Sequence, residues 1–313
     1  MKINNLNLEK SPSSNFMKFI KSNFRLLTIF SSFFVSSLIT EKYSSSAYAG
    51  PICPDPSTTP ITSIYNPSDA NSFHNLTKDG DDQGFCRGTP EKYGVTVYKM
   101  GFCAKNPGNP SGTVLAGTSP DYSSCTWAYE NLSGETADFS AGGSIDLSKT
   151  YSKSPSEGTY PHAVMLISKD FRIKGTYGPV AGNTYYSTNT FGVSSTDIND
   201  YGTTIAPLKT FSGPGSCEAY TEGESVVGGT ISAYLIDASG SMLTNNSSVA
   251  ECSGQVQLLG VMNMSSDLTI SSATKGLEMT FVVSDNGMSV MSNQTGTSIL
   301  FDSGPFSVNF ETF

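Results

Sequence analysis

The sequence is poor in charge and in the residues that most often carry catalysis or bind metals. Only 14% of its 313 residues are charged, and it has two histidines and one tryptophan. It contains no C-x-x-C pair, the usual cysteine spacing of a zinc site. It also has neither a phosphate-binding loop nor a dinucleotide-binding fingerprint. The sequence therefore gives no support to zinc proteins, NTPases or dinucleotide-dependent enzymes.

Long apolar runs are also missing. The longest one, residues 26–39, has about 14 residues and is shorter than the ~20 that span a bilayer. Basic residues precede it at 18–25, and an Ala-Tyr-Ala triplet that ends at Ala49 follows it, as at a signal-peptide cleavage site. We therefore predict a signal peptide over residues 1–49 and no membrane span in the mature chain. A retained N-terminal anchor is the alternative.

The charge that is present is mostly negative. The whole chain has a formal net charge of −9, and without the predicted signal peptide it would carry 12 basic and 25 acidic residues, a net charge of −13. Such a surface disfavours nucleic acid and anionic lipid as partners. It fits cations as ligands, or solubility in salty surroundings.

Six cysteines, an even number, all follow the predicted signal peptide. In an exported chain this indicates disulfide bonds and an oxidising location, which is secreted, periplasmic or at the cell surface. Among the possible pairings we predict the one that joins nearest neighbours along the chain. It pairs Cys53 with Cys86, Cys103 with Cys125, and Cys217 with Cys252.

No window of the sequence has the apolar stripe of an amphipathic helix. Short apolar or alternating runs recur between turn residues, which is typical of β-sandwiches. The predicted strands lie at 95–102, 162–167, 231–236, 256–262, 277–283 and 306–310. Asn286-Gly287 is expected to form a hairpin turn, because both residues tolerate positive φ. The fold class is therefore all-β, with one or two disulfide-stapled antiparallel β-sandwiches.

Glycine, proline, asparagine and aspartate are concentrated at 196–216, where we place a boundary. It divides the chain after the signal peptide into a loop-rich segment (50–92), a first β-sandwich unit (93–205) and a second (206–313). Each unit is near the size of a small sandwich domain. A single large sandwich is the alternative.

The strand at 95–102 is followed by residues 135–139, by Ile145-Asp146-Leu147, and by a Gly-Thr-Tyr turn at 158–160 that leads into the strand at 162–166. This order resembles secreted bacterial transthyretin-like and Cna-B-like β-sandwich domains, over about 93–178. The resemblance implies a stalk, a spacer or a surface subunit. No catalytic residue carries over from it.

One acidic loop begins like a calcium-binding loop. Asp79, Asp81 and Gln83 place side-chain oxygens at alternate positions before Gly84, and hard cations take oxygen ligands. The bidentate acid that should close such a loop is replaced by Pro90. A calcium site and a solvated acidic loop are therefore the two interpretations.

A second acidic motif, at 237–241, reads Asp-Ala-Ser-Gly-Ser. It resembles the metal-ion-dependent adhesion site of von Willebrand A domains, which hold Mg²⁺ there and need a helix directly afterwards. The sequence that follows has no helical period. We therefore expect a polar turn between two strands.

Neither histidine lies in a catalytic frame such as G-x-S-x-G. His162 begins an apolar strand and is expected to be half-buried, whereas His74 lies in a polar segment and is expected to be exposed. Aromatic residues that would stack on sugars, or else be ordinary strand residues, are also present. They are Trp127, Tyr129, Tyr177, Tyr185, Tyr186 and Tyr201.

These features predict an exported, non-enzymatic structural or adhesive protein of the cell surface or extracellular space, such as a subunit of an appendage or coat. Its partners would be copies of itself or other surface proteins. The second hypothesis is a secreted β-sandwich module that binds carbohydrate or a cation, and the third is a secreted hydrolase. Calcium is the only cofactor that the sequence suggests.

Overall fold

The structure is a computed structural model, in which the chain consists mainly of β-strands, with one short α-helix at Phe73–Thr77 (α1) among the described residues. Three single turns of 3-10 helix are at Tyr122–Ser124, Lys149–Tyr151 and Ile198–Asp200. The structure describes residues 2–4, 51–78, 84–139, 145–147, 149–211, 215–226, 228–274, 277–292, 298–304 and 306–312.

Eight strands, numbered in chain order with the rest, form the largest sheet. They are β3 (Lys92–Cys103), β4 (Cys125–Asp138), β6 (Gly158–Ser168), β7 (Asp170–Lys174), β11 (Thr204–Pro207), β12 (Tyr220–Val226), β13 (Gly229–Asp237) and β14 (Gln255–Ile270). β4 lies at one side of the sheet and pairs with β3. On its other side, β3 pairs with β6 and with β7, which continues the line of β6. β6 pairs in turn with β14, and β7 pairs with β11, while β13 and β12 follow β14 to the other side of the sheet.

Three smaller sheets contain the remaining strands. The first contains, in order across the sheet, β18 (Ser307–Thr312), β15 (Leu277–Val282), β1 (Lys2–Asn4) and β5 (Ile145–Asp146). The second contains β10 (Ser194–Ser195), β9 (Asn183–Ser187) and β8 (Thr176–Val180). The third contains β17 (Ile299–Ser303), β16 (Met288–Ser292) and β2 (Phe85–Gly88). Every pairing between these strands is antiparallel except that of β1 with β15. The predicted all-β, antiparallel fold class is confirmed.

The large sheet is buried on both faces. Successive side chains of a strand point to opposite faces, and on β6 Met165 and Ile167 belong to the main core while Val164 and Leu166 belong to a second one. The main core lies between the large sheet and the smaller sheets, since it takes buried side chains from both. They include Val95, Val97, Ile173, Leu235, Val180, Phe281, Val290 and Phe301. The second core is covered by the loop after β3, through Val114, Leu115 and Tyr122.

Three disulfides fasten this framework. They join Cys53 to Cys86, Cys103 to Cys125 and Cys217 to Cys252, which confirms the nearest-neighbour pairing. The first ties the segment before α1 to β2, and the second links directly opposite residues of β3 and β4. Disulfides of this kind indicate an oxidising, extracytoplasmic environment.

The two predicted sandwich units share one sheet. β6, from residues 93–205, is hydrogen-bonded along its length to β14, from residues 206–313. β11 crosses the boundary itself, since it runs from Thr204 to Pro207. A boundary near residue 206 therefore does not separate two sheets.

The hairpin predicted at Asn286-Gly287 is wrong. A turn does occur there, but β15 before it pairs with β18 and β1, while β16 after it pairs with β17 and β2. The residue with positive φ is Asp285, at 54°. Gly287 is required for close packing instead, because a Cβ there would lie 2.7 Å from the Cβ of Val283.

A strand lies near each end of the chain, β1 near the N-terminus and β18 near the C-terminus. Lys2–Asn4 forms β1, whereas the predicted signal peptide otherwise lies outside the described residues and stays a prediction. Near the other end, β18 pairs with β15 of the same chain, and Phe306 packs its ring against Tyr93 and Phe281. Over the described residues, no helix has the length and apolar character needed to cross a membrane.

We predict that Phe281→Ala lowers the free energy of unfolding by about 3–5 kcal/mol, the usual cost of emptying a large buried site. Phe281 is 0% exposed and stacks on Phe139 with ring centroids 4.1 Å apart. Leu132→Ala is the control, because Leu132 is 76% exposed and should change stability by less than about 0.5 kcal/mol. Urea denaturation of the two variants measures the difference, and equal effects would contradict the described core.

Candidate functional site

A groove lined by polar side chains lies at the end of the large sheet where β3 stops. β3 ends at Cys103, opposite His162 of β6, and His162 pairs on its other side with Asn263 of β14. The groove has a volume of about 460 Å³. We call it the polar groove, and its principal lining residues are Lys105, Asn106, Asn109, His162, Glu222 and Asn263.

Pro161 accounts for the place where the groove opens. Proline has no backbone N–H, so it cannot donate to a strand ladder. The pairing of β6 with β14 jumps from His162–Asn263 to Tyr160–Leu268, and residues 264–267 have no partner in β6. The regular pairing is therefore interrupted beside His162 and Asn263, and both residues line the groove at this interruption.

The opposite wall is the loop after β3, which is held in place at several points. The Cys103–Cys125 disulfide closes its base. Within it, the side-chain oxygen of Asn106 accepts a hydrogen bond from the backbone N–H of Gly108 at 2.9 Å. Gly108 lies so close to Tyr234 that a Cβ would come within 2.5 Å of the ring. The wall is therefore fixed by local packing.

A hydrogen-bond network joins this loop to β12 and β13. Tyr234, whose side chain is fully buried, donates its hydroxyl to Glu222 Oε1 at 2.7 Å and accepts from Asn106 Nδ2 at 2.9 Å. Asn109 Nδ2 donates to the same Glu222 oxygen at 2.8 Å. Burial, reinforced by the hydrogen bond to Glu222, raises the pKa of Tyr234 well above its usual range. The hydroxyl therefore stays protonated and holds Glu222 at the rim.

Two buried polar atoms at the groove have no hydrogen-bond partner within the described residues, Asn109 Oδ1 and His162 Nδ1. An unsatisfied buried polar atom costs about 1–3 kcal/mol. Burial lowers the pKa of His162, and the nearby Asp267 partly offsets that shift. At neutral pH the imidazole is therefore uncharged, and both atoms lie unsatisfied next to the groove.

The polar groove offers one cation, one carboxylate, amides and hydroxyls. Glu222 and Gly223 at its rim are exposed, so the groove does not enclose its contents. Small-molecule sites usually bury most of their ligand. This arrangement therefore suits hydrogen-bonded contact with part of a larger, extended partner.

Of the two predictions about histidine exposure, one is confirmed and the other is wrong. His162 is half-buried, as predicted, and lies in the polar groove. The prediction that His74 is exposed is wrong, since it is 5% exposed. Helix α1, which carries His74, is capped by Ser72 and packs into the protein, with Tyr65 edge-on to the imidazole at 4.6 Å.

The calcium prediction at Asp79, Asp81 and Gln83 lies outside the described residues and stays a prediction. The residues on either side, Lys78 and Gly84, form an antiparallel bridge, and β2 begins directly afterwards. Across the described ranges, no group of three or more His, Cys, Asp or Glu side chains is placed to hold a metal ion.

The second acidic motif forms the expected turn at the end of β13. One carboxylate oxygen of Asp237 accepts hydrogen bonds from the backbone N–H groups of Ser239 and Ser241 and from the Ser239 hydroxyl. These bonds, that from the Ser239 hydroxyl first, lower the pKa of Asp237. The carboxylate is thus used within its own turn.

The aromatic residues do not form one stacking surface. Tyr129 and Tyr177 are buried, while the other four are half-buried. Trp127 packs edge-on to Tyr122. Tyr186 lies 5.3 Å from Tyr201, between ring centroids. A sugar platform built from all six is therefore excluded.

A buried acid, Asp302 on β17, was missed by sequence reasoning. It is 1% exposed, its Oδ1 accepts from the Ser303 N–H at 2.7 Å, and its Oδ2 has no partner within the described residues. Burial raises the pKa of Asp302 to about 7, against the opposing effects of its hydrogen bonds with Ser303 and of the Lys209 charge. Tyr93 is close enough for its own pKa to be raised further by the Asp302 charge. The only signal in the sequence is one acid ending the apolar run at 299–301.

Asp302 should make the protein less stable as pH rises from about 4 to about 7. Its pKa is raised in the folded state, so the proton stabilises the folded chain at low pH and is lost as pH approaches 7. Asp302→Asn stays neutral, and at pH 8 it should be more stable than the parent by on the order of 3 kcal/mol. Denaturation at pH 4, 6 and 8 measures this.

The matched control for this prediction is Asp200→Asn, the same substitution at an exposed carboxyl. It should retain the parent's dependence on pH. If Asp302→Asn also retains it, the buried carboxyl is not the group responsible.

The fold and its grooves define a disulfide-stapled, all-β protein of sandwich-like architecture with an open polar groove at one end of its largest sheet. Comparison of the chain with protein-family models, curated proteins and solved structures found no match.

Proposed function

We propose that the chain is an exported, non-enzymatic adhesive or structural protein of the cell surface or extracellular space, and that the polar groove contacts its partner. The observation that carries this proposal is the groove's construction. Its polar lining is held by a disulfide-closed loop and by the Asn106–Tyr234–Glu222 network, and Lys105, Glu222 and Asn263 are exposed. Preorganised polar groups lose little entropy on binding.

Location supports the same proposal. The three disulfides suit an oxidising, extracytoplasmic environment, where a fixed covalent framework is maintained. The resemblance of residues 93–178 to transthyretin-like and Cna-B-like domains, which are mostly stalks and surface subunits, points the same way.

Strands β12 and β4, at the two sides of the large sheet, are poorly suited to strand addition, which favours contact through the polar groove. Unpaired strand edges are templates for assembly. β12 is interrupted by a register shift between Thr221 and Glu224, with Gly223 at φ 74°, and it carries two exposed acids. β4 is partly covered, because Lys153 donates its N–H to the Ala128 carbonyl at 2.8 Å. Assembly by adding strands to this sheet is therefore disfavoured.

The test measures retention of labelled protein on the surface of the cells that produce it. The double variant Asn109→Ala/Glu222→Gln removes an amide and a negative charge from the groove lining but keeps an acceptor for Tyr234. We expect retention to fall at least about fivefold, since losing polar contacts of this kind costs about 1 kcal/mol or more. The melting temperature should stay close to that of the parent.

Glu224→Gln is the matched control, because it makes the same change on the same strand outside the groove. It should be retained like the parent. A parent protein that is not retained would overturn the adhesive proposal, and a double variant retained like the parent would show that the polar groove is not the contact.

A further inference from the structure

A second groove lies on the large sheet, at the β3–β7 end. Its volume is about 300 Å³, and its lining comes from β3, β4, β7, β11 and the residue before β11. We call it the arginine groove, and it shares no lining residue with the polar groove. The residues used below are Lys92, Gly94, Thr136, Asp138, Arg172 and Ile205.

Basic residues are brought together here at an electrostatic cost. Lys92 of β3 lies directly opposite Lys174 of β7, and Arg172 lies opposite Gly94. Like charges that face each other across a strand pair are destabilising. In a chain with more acidic than basic residues, three cations on two adjacent strands call for an explanation.

Two of the three cations are compensated by acids of the protein. Lys174 lies 3.4 Å from Glu91 and 3.9 Å from the centre of the Tyr201 ring. Lys92 lies 3.7 Å from Asp138, with both side chains about half exposed. These contacts leave Arg172 as the cation that needs a partner.

Arg172 has no carboxylate partner within the described residues. Its Nη1 donates to the hydroxyls of Thr96 and Thr136, at 3.2 and 3.4 Å. Both are neutral acceptors on one nitrogen, so they orient the guanidinium without neutralising it. The remaining N–H groups keep the fork geometry that suits a carboxylate.

The surroundings of Arg172 orient it and supply secondary contacts for a ligand. Gly94, opposite it, has no side chain, so Arg172 lies against the backbone there, where a Cβ would be 3.1 Å from the Cβ of Arg172. Thr136 has an exposed side chain next to the guanidinium, and Ile205 is 50% exposed on the other side. Together they offer a charged fork, a hydroxyl and an apolar edge.

The charge of the groove limits the ligand to one negative charge. Lys92 and Arg172 contribute two positive charges and Asp138 one negative charge, while the negative surface of the whole protein repels polyanions. We propose that the arginine groove binds a sugar acid, that is, a saccharide carrying a single carboxylate. The carboxylate pairs with Arg172, a sugar hydroxyl bonds to Thr136, and the C–H face of the ring packs on Ile205.

The test is titration of the purified protein with glucuronate, followed by calorimetry or by NMR of the protein. Glucuronate should bind saturably and weaken as NaCl is added, because exposed ion pairs are screened. Acetate lacks the hydroxyls, glucose lacks the charge, and sulfate represents a free inorganic anion. Each should bind at least about tenfold more weakly, since each forgoes contacts of about 1.5 kcal/mol.

Arg172→Gln should weaken glucuronate binding at least about tenfold, and Arg172→Lys should give an intermediate loss because it keeps the charge but not the fork. Lys149→Gln makes the same charge change at an exposed position elsewhere and should bind within about twofold of the parent. Circular dichroism checks folding. If Arg172→Gln does not fold, Lys92→Gln takes its place.

Four results would each overturn the proposal. They are no saturable binding of glucuronate, acetate, sulfate or glucose binding as tightly as glucuronate, Arg172→Gln binding like the parent, and Lys149→Gln losing as much as Arg172→Gln. None of them bears on retention through the polar groove, so the two proposals fail separately.

Discussion

β6 and β14 are about a hundred residues apart in the chain, and their antiparallel pairing lies in the middle of the largest sheet. The side chains of this pair alternate between two cores, so each strand is buried on both faces. Such a pair cannot form until the chain between the strands has closed a long loop, which costs entropy. The polar groove and the second core are built directly on this pairing, since His162 and Val164 come from β6 and Asn263 and Leu259 come from β14. The arginine groove is connected to it less directly, through β7, which follows β6 in the chain.

The strands themselves could be predicted from the sequence. The continuous apolar run at 163–167 indicates a strand buried on both faces, and β6 is such a strand. The strict alternation at 277–283 indicates a strand with one apolar face, and strand β15 does occupy Leu277–Val282. The cysteine pairing followed from proximity along the chain. In each case the signal was local, and the structure that it predicted is local too.

The strand with which each strand pairs, and the burial of individual residues, were less predictable than the strands themselves. Alternation states which way side chains point but not which strand lies alongside, so Asn286-Gly287 was assigned to a hairpin although β15 and β16 lie in different sheets. His74 was placed outside because its neighbours in sequence are polar, yet α1 is buried by contacts that only the tertiary fold supplies. Asp302 shows the same limit, since one acid after an apolar run does not reveal that its side chain faces the interior.

Each groove lies next to a residue that departs from an ordinary strand surface. In a continuous ladder, neighbouring side chains are about 5 Å apart and parallel, which leaves a flat surface. At the polar groove, the pairing of β6 with β14 is interrupted at Pro161 and residues 264–267 and resumes beyond them, and the loop after β3 forms the facing wall. At the arginine groove, the absence of a side chain at Gly94 lets Arg172 lie against the backbone there. A proline and a glycine thus shape the surface next to each groove, and the two proposals rest on the charged and amide groups that line it.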